Sequence, residues 1–263
     1  MIPRLSAKGM NSTRTDRIAR AFGAAQDYDA AASVQRAVAA ALAERITSRP
    51  LPAAPDILEI GCGTGFLTSA LAPRLPDARW TVSDLAPAML DRARARLGLA
   101  ADYRVVDGAD PAAGLEDGAR FDLICSSLAF QWVGDLRDAI ARNIALLRPG
   151  GLLAFATMAA GSFDEWRVAV GGDTGVPHYP DAATIRAMAP ADVTAEVADG
   201  SWQWCPGSGR AFLASLKAIG AGVASEGYRP LGPAALRAAL DRFDADGATV
   251  SYHIAFAFFR AGE

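Results

Sequence analysis

The stretch Ile57-Leu58-Glu59-Ile60-Gly61-Cys62-Gly63-Thr64-Gly65 sets a short apolar run directly against three alternating glycines. Four apolar-rich residues bounded by glycine read as a buried strand, and the residues after Gly65 return to helical spacing up to about Leu75. Glycine at these positions lets the backbone approach a ligand closely, because a side chain there would collide with it. By itself such a loop is also an ordinary strand-to-helix turn, so the flanking sequence has to decide between the two.

Outward from the loop, strand and helix patterns alternate. Residues 80–83 form a second strand ending at Asp84, and Pro87 falls in the first turn of a helix through Met89 and Leu90 to Leu97. A third strand, 103–106, ends at Asp107 beside Gly108; a fourth covers 121–125. A helix over 136–147 closes at Arg148-Pro149-Gly150-Gly151, and a fifth strand follows at 152–157. This alternation implies an α/β fold, a doubly wound parallel sheet with both faces covered. Upstream, apolar residues recur at spacings of three and four from Thr15 to Ile46, a helical arm that ends at Arg49-Pro50-Leu51-Pro52. Downstream, 193–204 and 249–259 read as strands and 209–219 and 233–243 as helices. The expected organisation is a disordered 1–13, an arm over 14–50, a core over 51–160, and a remainder over 161–263. Within that remainder the insert at about 205–248 is too long for a hairpin turn, and its two helices are expected to form a lid over the substrate along with the N-terminal arm.

Three acids mark successive strand ends. Glu59 lies two residues before the first glycine, Asp84 follows Gly65 by 19 residues, and Asp107 ends the third strand. A carboxylate at the Asp84 position suits the two hydroxyls of an adenosine ribose, and one at Asp107 can receive an adenine amino group. Singly, each acid is also a common cap or turn residue. Together, beside a glycine loop, they converge on the crevice at the switch point of the sheet. The spacing G-x-G-x-G departs from the dinucleotide pattern G-x-G-x-x-G, so an adenosyl ligand without a pyrophosphate fits better than NAD.

These residues, with Phe121-Asp122-Leu123-Ile124 and the Arg148-Pro149-Gly150-Gly151 turn, resemble the class I S-adenosylmethionine-dependent methyltransferases. The resemblance implies a Rossmann-like sheet of seven strands. It places Glu59, Gly61, Gly63 and Gly65 around the methionine part of the cofactor and Asp84 on the ribose. Asp107 and Gly108 fall at the adenine, Leu85 and Met89 pack near the adenine or ribose, and Ser127 lies beside the methyl-transfer site. The flanks narrow it further. Residues 21–29, Ser33-Val34-Gln35, Leu128-Ala129-Phe130-Gln131-Trp132, 161–167, 212–221 and Ser251-Tyr252-His253 resemble the malonyl-[acyl-carrier protein] O-methyltransferases of biotin synthesis. Ser127 stands where that family has Asn, and Ala218 where it has Gly. The likeness begins near Met10, so residues 1–9 are expected to be an over-extended start.

What the resemblance implies is methyl transfer from S-adenosylmethionine to the free carboxylate of a malonyl thioester on acyl-carrier protein or coenzyme A, leaving S-adenosylhomocysteine. Such a carboxylate is already ionised near neutral pH and needs no general base. Tyr28, Gln131 and Trp132 are the candidate catalytic residues; Tyr28 and Trp132 also suit anchoring and core roles. Other readings are a methyltransferase for another small carboxylic acid or a natural-product hydroxyl, and a non-catalytic module that binds the cofactor.

Composition limits the partners. With 26 basic and 29 acidic residues the formal charge is −3, which disfavours a general nucleic-acid surface. Three scattered cysteines and two histidines, His178 and His253, show no metal-ligand spacing. No apolar run reaches membrane-span length, so a cytoplasmic monomer is expected. Because an acyl-carrier protein is acidic, Arg210, Lys217 and Arg229 are the expected docking residues.

Overall fold

The computed structural model describes residues 12–25, 28–225 and 227–263. Seven strands form one sheet: β1 (Asp56–Glu59), β2 (Arg79–Asp84), β3 (Asp102–Val105), β4 (Phe121–Ser127), β5 (Leu147–Met158), β6 (Thr194–Trp204) and β7 (Val250–Arg260). Their spatial order is β3-β2-β1-β4-β5-β7-β6. The first five strands pair in parallel, whereas β7 runs antiparallel between β5 and β6. The sheet is therefore mixed, not wholly parallel. A hairpin register from Thr194↔Arg260 to Trp204↔Val250 imposes the reversal, since antiparallel strands need no crossover helix. Strand order reverses between β1 and β4, so the loops after these two strands open one crevice at the carboxyl edge of the sheet.

The central strands are apolar on both faces, as strands covered on two sides must be. Between β4, β5 and β7, the rings of Phe130, Phe155 and Phe259 pack at centroid distances of 4.8 and 5.8 Å. Edge strand β6 alternates exposed and half-buried residues instead. On one side of the sheet lie α3 (Ser33–Thr47), α4 (Phe66–Leu71), α7 (Asp164–Val170), α9 (Gly209–Ala218) and α10 (Pro233–Ala245). Helices α6 (Leu136–Ile144) and α8 (Ala182–Arg186) cover the other. Between β2 and β3, α5 (Pro87–Leu97) starts on its proline and stops on Gly98 at φ 54°, a left-handed cap.

Three elements differ from the sequence expectation. The arm is not one helix: α1 (Ser12–Gly23) and α2 (Tyr28–Ala31) precede α3. Helix α1 takes in Ser12 and Thr13, which were expected to be disordered; residues 1–11, and with them the expected over-extended start, lie outside the described residues. Strand β5 begins at Leu147, because the Arg148-Pro149-Gly150-Gly151 stretch joins the sheet through a register shift between Phe121 and Leu123. Arg148 fixes this irregularity by pairing with Asp56 and Asp122, and Asp122 also accepts from the Asp56 backbone N–H at 2.8 Å. Finally, α9 and α10 do not form the expected roof over the crevice. Their apolar sides, with Phe212 and Phe243, are consumed against Trp166 of α7 at ring distances of 5.9 and 5.7 Å.

Candidate active site

Beyond β1, the glycine loop takes the backbone into left-handed space at Gly61 (φ 67°), Gly63 (φ 54°) and Gly65 (φ 91°), which residues with a Cβ adopt only at an energetic cost. Gly61 also has no room, since a Cβ there would overlap the Cβ of Ala129. The loop is tied down from β2. One oxygen of Asp84 accepts the Gly63 N–H and the other the Ala86 N–H, both at 2.8 Å. Burial pushes this carboxyl above the usual carboxylate range, while the two backbone bonds pull against the rise.

A cavity of about 370 Å³ opens over the loop at the carboxyl ends of β1, β2 and β4. Ten of the thirteen expected site residues line it: Tyr28, Glu59, Gly61, Gly63, Asp84, Leu85, Asp107, Gly108, Ser127 and Trp132. Three do not. Gly65 caps α4 and faces Leu97, where a Cβ would come within 3.1 Å of that side chain. Met89, expected near the adenine or ribose, is fully buried with Ala25 and Ala86 beneath the arm. Gln131 sits in a single turn, Phe130–Trp132, that aims Phe130 into the core and Gln131 away from the cavity. Its amide donates to the Leu128 carbonyl at 2.8 Å and its oxygen lies 3.4 Å from the Thr157 hydroxyl. Leu128 itself is left-handed at φ 55°, so Gln131 braces a strained corner at the end of β4.

The N-terminal arm roofs the cavity with Arg14, Ile18 and Phe22 of α1 and Tyr28 of α2. The sequence pointed to the arm as part of the closure but named only Tyr28 of these four as a site residue. The anchors of the arm are distant in the chain: the Asp29 carboxylate accepts from the Thr64 hydroxyl at 2.6 Å and pairs with Arg96. Arg92 donates to the carbonyls of Ala25 and Gly23 at 2.5 and 3.0 Å, and Phe22 meets the Trp132 ring edge-on at 5.5 Å. Tyr28 stacks on Phe66, and its hydroxyl lies 3.5 Å from where a Gly63 Cβ would be. Burial, then the nearby Asp84 charge, raises its phenol well above the ordinary value.

Glu59 is 1% exposed and accepts from the Thr68 hydroxyl. Burial pushes its carboxyl up to about 7, with the Thr68 bond opposing and Asp84 adding to the rise. The folded chain thus holds a proton on Glu59 more tightly than the unfolded chain does. The associated stability is present below about pH 4.5 and is lost as pH rises to about 7. Relative to the native chain, Glu59→Gln is expected to gain thermal stability steadily from pH 5 to pH 8, approaching on the order of 3 kcal/mol. Thermal melts across that range check this; parallel curves for the two proteins would show that Glu59 is ionised in the folded state throughout.

Three acidic side chains against one arginine, Arg14, suit a cationic ligand rich in hydroxyls and amino groups. An adenosyl sulfonium with its ammonium group meets that description: Glu59 would face the ammonium, Asp84 the ribose and Asp107 the adenine. The Asp107 carboxylate is preset by the Ala109 N–H at 2.9 Å. Close packing of Gly108, where a Cβ would stand 2.7 Å from Ile60, keeps that wall thin.

Residues 58–153 match the family described as a methyltransferase domain. The chain is 51% identical over 248 residues to the biotin biosynthesis bifunctional protein BioCD of Bordetella avium, covering 92% of this chain but 52% of that protein. It is 37% identical over 254 residues to the malonyl-[acyl-carrier protein] O-methyltransferase of Magnetococcus marinus, covering 94% of this chain and 93% of that enzyme. The chain belongs to the malonyl-[acyl-carrier protein] O-methyltransferase family. Among solved structures, the plantazolicin methyltransferase BpumL, determined in complex with SAH, shares the fold with a TM-score of 0.54. It is 13% identical, over 96% of this chain and 97% of that one. Membership accounts for the acid-lined crevice and the glycine loop together. The chain spans about half the length of the bifunctional relative. Among the described residues no helix is long and apolar enough to cross a membrane.

Proposed function

We propose that the chain transfers a methyl group from S-adenosylmethionine to the free carboxylate of a malonyl thioester carried on acyl-carrier protein or coenzyme A. The observation that carries this reading is the convergence of Glu59, Asp84 and Asp107 with the glycine loop in one roofed cavity. The similarity to the Magnetococcus marinus enzyme over nearly its whole length supplies the acceptor. When bound, the cofactor supplies an electrophilic methyl on a sulfonium, which departs as a neutral thioether. The acceptor oxygen is ionised at neutral pH, so the chain's own work is positioning and the exclusion of water. Tyr28 and Trp132, both lining the cavity, orient the reacting groups, and Gln131 holds the corner at the end of β4.

In this reading the chain works in the cytoplasm as a monomer, with neither nucleic acid nor membrane as partner. Its docking surface for the acidic carrier includes Arg210 and Lys217 on α9, whose neighbour in the arm is α2. Mass spectrometry of malonyl-carrier protein incubated with the purified chain and cofactor should show one added methyl per carrier; methylation of other carboxylic acids but not of the malonyl thioester would overturn the reading. The double variant Arg210→Glu, Lys217→Glu is expected to raise KM for the carrier-bound acceptor about tenfold and to leave KM for malonyl-pantetheine in place. An equal change for both acceptors would remove α9 from the docking surface.

A further inference from the structure

A second cavity, of about 390 Å³, adjoins the first at the carboxyl ends of β4 and β5. The two share Arg14, Phe130, Val133 and Gly134, so they meet at a wall made by the first turn of α1 and the loop after β4. The second cavity contains none of the three acids that line the first. Its polar groups include Gln131, Thr157 and His178, and Pro177, Tyr179 and Ser225 also line it. Arg14 is the only Arg or Lys among the described residues lining either cavity. Its guanidinium donates through Nη1 to the Trp132 carbonyl at 2.9 Å, a neutral acceptor that fixes the group in place without neutralising its charge.

We propose that the second cavity receives the acceptor and that Arg14, at the junction of the two, binds the acceptor carboxylate. The inference rests on the function proposed above and names the residue that selects an anionic acceptor there. An arginine that donates through one nitrogen to a backbone carbonyl can still present donors to a carboxylate in a planar geometry that lysine cannot reproduce. Placing the only such cation at the wall between the cavities brings the carboxylate oxygen to the side of the first cavity, where the methyl must arrive. The acids at the cofactor end, Asp84 and Asp107 among them, disfavour a carboxylate in the first cavity, so the charges sort the two ligands into their own chambers.

The test compares binding of malonyl-pantetheine with that of its neutral methyl ester to the chain loaded with S-adenosylhomocysteine, by calorimetry. The native chain should favour the anion. Arg14→Gln is expected to weaken malonyl binding by about 30-fold or more while leaving ester binding within a few-fold, which erases the discrimination. Arg14→Lys should recover only part of it. Affinity for S-adenosylhomocysteine alone, measured on the same variants, should stay within about threefold; this excludes a collapse of the arm as the cause. If Arg14→Gln binds both acceptors as the native chain does, the proposal fails and the proposed function stands. If the native chain itself takes up neither acceptor, the proposed function fails with it.

Discussion

Gly61→Ala is expected to weaken uptake of S-adenosylhomocysteine by on the order of 100-fold while the chain stays folded. Two effects act at one position. The alanine must adopt φ near 67°, and its methyl must displace Ala129. Left-handed backbone costs a residue with a Cβ about 1–2 kcal/mol, and overpacking adds about 1–3 kcal/mol. Relief is available only by moving the loop, and the loop is the floor of the cofactor cavity. A displacement worth about 3 kcal/mol corresponds to on the order of 100-fold in affinity. Calorimetry on the variant checks the binding, and circular dichroism checks the fold. An affinity within a few-fold of native would mean that the loop does not form the cofactor floor. Gly65→Ala is the instructive contrast: it shares the left-handed strain, but its neighbour is the flexible Leu97 side chain and not a wall of the cavity.

The second large effect is expected from Asp84→Ala. This carboxylate serves the glycine loop through Gly63, the start of α5 through Ala86, and the ligand that the cavity takes. Removing it strands two backbone donors at a buried position, at about 1–3 kcal/mol each, besides the ribose contacts proposed for it. A fall in melting temperature of several degrees and a loss of cofactor affinity exceeding about 100-fold are expected. Asp84→Asn should be milder, because its amide oxygen still accepts from one of the two N–H groups while its NH₂ faces the other. Melts and calorimetry on both variants give the ordering; equal losses in the two would show that charge, not the loop anchor, is what Asp84 contributes.

The cofactor half of the site was legible because it is local. A strand, a glycine loop and an acid at the next strand end are each specified within a few residues, and the doubly wound topology then dictates where the strand ends meet. Glu59, Asp84 and Asp107 needed only the correct strand boundaries to converge. Gln131 and Met89 both lie outside the lining of the first cavity, for related reasons, although Gln131 lines the adjoining one. Each lies one helical turn or less from residues that do face the cavity, and the rotation of a short helix about its axis is set by what its other side packs against. For Met89 that is the arm, through Ala25 and Phe22; for Gln131 it is Phe130 seated on Phe155.

Sequence alone thus determined the order of the elements, the sheet class, the glycine loop and its acids, and the insertion that separates β6 from β7. Those features follow from hydrophobic periodicity, glycine backbone freedom and chain connectivity, all of which act over short stretches. Tertiary structure alone decided which arm residues line the cavity, that α9 and α10 contribute none of its described lining, and that Arg14 stands between two chambers. The arm is placed by Asp29 with Thr64 and Arg96, by Arg92 with Gly23 and Ala25, and by Phe22 with Trp132. Each of these pairs joins residues more than thirty positions apart, and no periodicity in the chain encodes such a pairing before the sheet has brought its partners together.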